Sequence, residues 1–277
     1  MHNQALFVAM LCGTTALHAQ APDPWRKVPA APTTYFADQA FSSALHDLAV
    51  QVGDERRKQT EINGDIQAKY GQLDMQEIMK RMQAFMAKDP QKAMKMMQAQ
   101  AAAASAIKSD IHSGDEAKTA RNEEFEKLSA EFKAEMEAAA KPFQAKREDI
   151  KKTGTVSVME GASWAFKTKA AETAYNEQVD KENAEVSARS VAWFGPGGKF
   201  TAWLASYRAT VLDPNAKAEE ANDEIKTAQM AIMETPTAAY RSTAQMTAAR
   251  AYLEVMQKVY DLRINKEPNV HRTVEEP

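Results

Sequence analysis

The sequence predicts an all-α protein: an elongated bundle of long antiparallel helices with coiled-coil-like packing, in about seven helical segments. Three observations predict it. Apolar residues recur at alternating steps of three and four, which places them on one side of a helix. Glycine is scarce, at 10 of 277 residues, and absent from Thr201 onward, while Ala, Glu, Lys, Gln and Met are prominent. Three dipeptides, Asp89-Pro90, Asp213-Pro214 and Thr235-Pro236, set a capping residue directly before a proline, the arrangement that opens a helix.

The elements follow in chain order. Phe41, Leu45, Leu48 and Val52, then Ile62, Ile66, Tyr70 and Leu73, predict a first helix over 37–70, with Gly53 and Asn63-Gly64 weakening its middle and Gly71 stopping it. Asp74 caps a second, with Glu77 placed as its capping-box partner. Met75, Met79, Met82 and Met86 form that helix's stripe, and Met94, Met97, Ala101 and Ala104 continue it past Asp89-Pro90. Met79, Met82, Met86, Met94 and Met97 are therefore expected along a seam facing another helix. Ser113 to Glu116 spells a capping box, followed by the most regular stripe of the chain: Phe125, Leu128, Phe132, Met136, Ala139 and Phe143. Pro142 predicts a kink in that helix, because its ring crowds the carbonyl of Ala138. Thr155 to Val158 has strand character, but one short piece makes no sheet. A further helix is expected over 163–193, its side of Ala171, Tyr175, Val179 and Val186 interrupted by Glu182. Gly195-Pro196-Gly197-Gly198 breaks it and marks a hinge. A short aromatic helix over 200–212, one from Asp213-Pro214, and a last one carrying Met246, Ala249, Leu253, Met256 and Tyr260 complete the set.

The ends have a different character. Residues 1–19 contain no Lys, Arg, Asp or Glu, and an apolar run at Ala5 to Leu11 precedes small residues. This reads as a secretory signal peptide cleaved near Ala19, too short to span a membrane, and it places the protein in the periplasm or outside the cell. Residues 20–34 are a Pro/Ala-rich linker, 35–264 a single elongated helical domain with its hinge at 195–198, and 265–277 a polar tail. The one cysteine, Cys12, lies in the leader, so the exported chain has no disulfide and depends on its apolar core. A net charge of −3 from 35 basic and 38 acidic residues argues against nucleic acid as a partner.

Motifs for catalysis and cofactors are missing or incomplete. Beyond the leader only His46, His112 and His271 remain, with no H-x-x-x-H or E-x-x-H pair, so di-iron and zinc sites lack ligands. There is no G-x-S-x-G. Ser105-x-x-Lys108 and Lys152-Thr153-Gly154 lack the third motif of the penicillin-binding enzymes. Gly195 to Lys199 resembles a phosphate loop, but Phe200 stands where Ser or Thr is needed. The sequence thus predicts a non-enzyme with no cofactor.

Two clusters are candidates for contact with a partner. Seven of the 15 methionines fall between Met75 and Met97, and Met79, Met82 and Met86 supply a pliable apolar stripe. Trp193, Phe194, Phe200 and Trp203 flank the glycine hinge, either as a satellite core or as an aromatic contact patch, core being favoured. The expected function is macromolecular binding or scaffolding in the cell envelope, chaperone-like or structural, with a protein or envelope component as partner and coiled-coil contacts available for a homo-oligomer. The alternative is Cu(I) or Ag(I) binding by soft thioethers, with Met94, Met96 and Met97 placing three sulfurs within one turn.

Overall fold

The computed structural model of the chain describes residue 28 and residues 37–106, 115–159, 163–221 and 243–274. The leader, nearly all of the Pro/Ala-rich segment, Ser113, His112 and Thr235-Pro236 lie outside them. The described chain is mostly helical: α1 Gln39–Gly71, α2 Met75–Lys88, α3 Pro90–Ala106, α4 Asp115–Gly154, α5 Lys169–Phe194, α6 Lys199–Tyr207, α7 over 213–221 and α8 Ala244–Asp261. No helix among the described residues is long and apolar enough to cross a membrane. The chain divides into two compact units, one drawn from Gln51–Ile107 and Asn215–Ala249, the other from Pro29–Val50, Lys108–Pro214 and Arg250–Pro277.

In the first unit, α2 opens on Asp74, whose carboxylate accepts the Gln76 amide at 2.7 Å, and Glu77 pairs with Arg81 one turn on. Asp89 then closes α2, its amide donating to the Phe85 carbonyl, and caps α3 by accepting the Lys92 amide at 3.0 Å. One residue thus serves two helix ends, with Pro90 at the first position of α3, where a missing N–H costs nothing.

The second unit is built on α4 and α5. Contacts run in opposite index order, Glu135 with Trp193 and Gln144 with Glu182, so the two helices are antiparallel. The long stripe buries Phe132, Met136 and Ala139. α4 continues through Pro142 to Gly154 without interruption. Between α4 and α5 the sequence expectation fails. Residues 163–166 are not helical; β2, Ser163–Phe166, pairs antiparallel with β1, Thr155–Met159, and α5 begins only at Lys169, after the Thr168 cap. Two half-strands satisfy each other's backbone groups where one piece alone would leave them open. Alternation places Trp164 and Phe166 on the same side, edge to face at 5.1 Å, and Phe166 packs on Tyr175 of α5.

Gly195 to Gly198 form a tight turn in which the Gly198 amide donates to the Gly195 carbonyl at 2.9 Å. With Pro196 second and Gly197 third at φ +73°, it has the type II pattern that requires glycine at the third place. A Cβ on Gly198 would meet the Trp193 carbonyl oxygen at 2.6 Å, so this residue also lets the chain pass close to the end of α5. Asp213-Pro214 does not open a new helix. Asp213 is itself helical, and its amide donates to the Arg208 carbonyl, closing a π turn over Arg208–Leu212 that carries the chain on into α7.

Candidate functional site

The methionines do not lie in a seam. α2 has no buried residue; Met75, Met79 and Met86 are exposed, Met79 to 52%, as are Met94 and Met97 on α3. Ile78, Met82 and Phe85 are half-buried instead, and on α3 Ala93 is buried and Met96 half-buried. The spacing of α2 supports two overlapping stripes, Met75-Met79-Met82-Met86 and Ile78-Met82-Phe85, which share Met82. Only packing chooses between them, and it covers the second. Of the residues expected to meet another helix, Met79, Met86, Met94 and Met97 therefore face solvent, and Met82 alone is half-buried.

The aromatic cluster around the hinge is core. Trp193 and Phe200 are fully buried, and Phe194 is nearly so. Phe132 meets Trp193, Phe194 and Phe200 at ring-centre distances of 5.6, 5.1 and 6.1 Å, all near edge-to-face. The Trp193 indole donates to Glu135 at 3.0 Å, which satisfies its one polar atom. Trp203 is half-buried against Phe125 and Tyr207. Trp193, Phe194 and Phe200 spend their surfaces on packing, because α6 folds back on α5.

A feature that sequence reasoning passed over lies along α5. Residues 265–274, polar by composition, are seated on this helix as an extended strap. Asn183 donates to the Glu267 carbonyl at 3.0 Å and accepts its amide at 3.1 Å. Asn176 does the same for Val270, at 2.9 Å both ways. Farther on, the Phe166 amide donates to the Arg272 carbonyl, and the Val274 amide to the Phe166 carbonyl, so the strap adds to the edge of β2 in parallel. Arg147, buried, pairs with Glu182 at 2.6 Å and with Glu267 of the strap at 3.2 Å. Glu182 breaks the apolar pattern of α5 because it is this cation's partner. Where the strap leaves α8, the Arg263 guanidinium lies 4.1 Å from the ring centre of Phe194 and 4.5 Å from that of Tyr260, and burial lowers its pKa to about 10. A signal was present in the sequence: two Asn seven residues apart, on one side of a helix whose interior Asn disfavours.

Glu172 anchors the far end. Its buried carboxylate takes hydrogen bonds from Lys169, Thr273 and His271, and these hold its pKa at about 2, down from the ordinary 4.5. A carboxyl depressed by folding adds stability above its unfolded value and loses it as pH falls through its folded one. The strap is therefore expected to loosen between about pH 4.5 and 2. Amide exchange at Val274 should accelerate across that window, and Glu172→Gln should flatten the acid step. A step unchanged in the Gln variant would place its origin elsewhere.

No family model matches the chain, and neither a curated protein nor a solved structure matches it.

Proposed function

We propose that this chain is an exported, non-enzymatic helical protein that works by binding another macromolecule in the cell envelope, through the methionine face of α2 and α3. The elongated bundle with coiled-coil-like packing belongs to the same proposal. One observation carries it: Met75, Met79, Met86, Met94 and Met97 stand in solvent on capped helices, where an apolar stripe is ordinarily covered. Flexible thioethers adapt to differently shaped apolar partners, a property of surfaces that bind several clients. The export half rests on the uncharged apolar start, and N-terminal sequencing of the exported protein is expected to begin near Gln20; intact Met1 in the cytoplasm would overturn it.

Exposure also favours a second reading. Met94 and Met97 are reachable by a soft cation such as Cu(I), with Met96 half-buried beside them. Two full-length variants separate the readings. Changing Met75, Met79, Met86, Met94 and Met97 together to Gln removes the apolar face at exposed positions, where the cost in stability is within about 0.5 kcal/mol per site. Changing them to Leu keeps the face and removes the sulfurs. Recovery of an envelope partner should survive Leu and fail with Gln. Tight, stoichiometric Cu(I) uptake in anaerobic calorimetry, lost in the Leu variant, would favour the metal carrier instead.

A further inference from the structure

The contacts between α5 and the strap are those by which a protein reads an extended peptide. Each Asn side chain engages one residue twice, accepting its N–H and donating to its C=O. This pairing is available to any residue with a free amide and is indifferent to its side chain. The spacing suits an extended ligand: seven helical residues, Asn176 to Asn183, advance about 10.5 Å, and three extended residues, Glu267 to Val270, advance about 10 Å. Addition to the β2 edge supplies two further backbone bonds, as in peptide recognition by strand addition. Side-chain selection is confined to four places, one of them His271, whose ring lies 3.3 Å from Glu172. Glu267 meets the buried Arg147, Val270 packs against Phe166, Tyr175 and Val179, and the Thr273 hydroxyl donates to Glu172. Lys266, Pro268, Asn269, His271 and Arg272 are exposed. The strap is thus held by its backbone and a short acidic-x-x-aliphatic-His-x-Thr pattern.

We infer that the α5 face bearing Glu172, Asn176 and Asn183, with the β2 edge, is a binding site for an extended peptide of that pattern, in which the chain's own strap is the resident occupant and the strap of a second copy its replacement. A second copy carries the one sequence already seated in this groove, and exchange of identical segments between copies adds no new interface chemistry. The observations are separate from those on the methionine face, so the two readings stand or fall independently.

The test uses a fluorescent peptide of residues 265–274, NKEPNVHRTV, and full-length protein. In the wild type the tethered strap competes at millimolar effective concentration, so binding should be weak. Weakening the strap alone, with Glu267→Ala, Val270→Ala and Thr273→Ala, should tighten peptide binding at least about tenfold. Adding Asn176→Ala and Asn183→Ala should reverse that gain by about tenfold or more, since two doubly bonded partners are lost. No saturable binding to the strap-weakened protein, or binding untouched by the Asn changes, overturns the site. Unmodified protein gives an independent measurement: excess peptide should speed amide exchange at Glu267 and Val270 of the chain's own strap, and unchanged exchange likewise overturns it. Sizing at rising concentration identifies the source. A dimer that excess peptide converts to monomer supports the second copy, and a monomer throughout overturns that assignment.

Discussion

Phe132→Ala is expected to cost about 3–5 kcal/mol, the usual range for removing a large aromatic side chain from a core that collapses poorly. Phe132 is 1% exposed at the middle of α4, and its ring is the common neighbour of Trp193, Phe194 and Phe200. Those rings come from the end of α5 and the start of α6, held by the turn at Gly195 to Gly198. Neither side is free to move into the space the ring leaves, so the cavity term adds to the lost burial. Urea melts followed by tryptophan fluorescence are suited to the measurement, since Trp164, Trp193 and Trp203 lie in the same unit as Phe132. The control is Lys133, the exposed next residue, where alanine should change stability by no more than about 0.5 kcal/mol. Equal losses at the two positions would mean that Phe132 is not the centre of this core.

Arg147→Met is expected to be comparably severe, at about 3–5 kcal/mol, for an electrostatic reason. Arg147 and Glu182 are each 7% exposed and 2.6 Å apart at their closest, and among the described residues Glu182 otherwise receives the Gln144 amide at 3.1 Å. Removing the cation leaves a carboxylate desolvated without its partner, and that penalty dominates the loss of the pair itself. The double variant Arg147→Met with Glu182→Leu separates the two effects. It should recover much of the loss, because a buried pair replaced by apolar groups of similar size is often neutral. A double variant as unstable as Arg147→Met alone would show that the guanidinium's contact with the Tyr175 ring, 5.7 Å to the ring centre, matters more than its pairing with Glu182. Because Arg147 also holds Glu267 at 3.2 Å, the single variant should free the strap along with weakening the core.

Local features of the chain were legible where the physics is local. The caps at Asp74 and Asp89, the stripe through Phe132 and Met136, and the Gly-Pro-Gly-Gly break depend on neighbours within a turn or two, and they stand as the sequence implies. The strand at 163–166 was not legible, because Ser163 to Phe166 becomes extended only by pairing with Thr155 to Met159 and by burying Phe166 on Tyr175. At Asp213-Pro214 a π turn accommodates the proline without ending the helix, which the cap-then-proline pattern by itself does not reveal.

The mostly helical character, the helix starts at Asp74 and Asp89 and the phase of α4 are set within single segments, because capping and a 3.6-residue period are properties of one segment and its own side chains. Long-range packing sets which of two methionine stripes on α2 faces solvent, that the hinge aromatics are core, that Glu182 lies buried beside Arg147, and that residues 265–274 are seated on α5. Each of these depends on contact between groups distant in sequence, such as Asn183 with Glu267 84 positions away. Periodicity fixes the side of a helix on which a residue sits, and leaves open what the rest of the chain brings to that side.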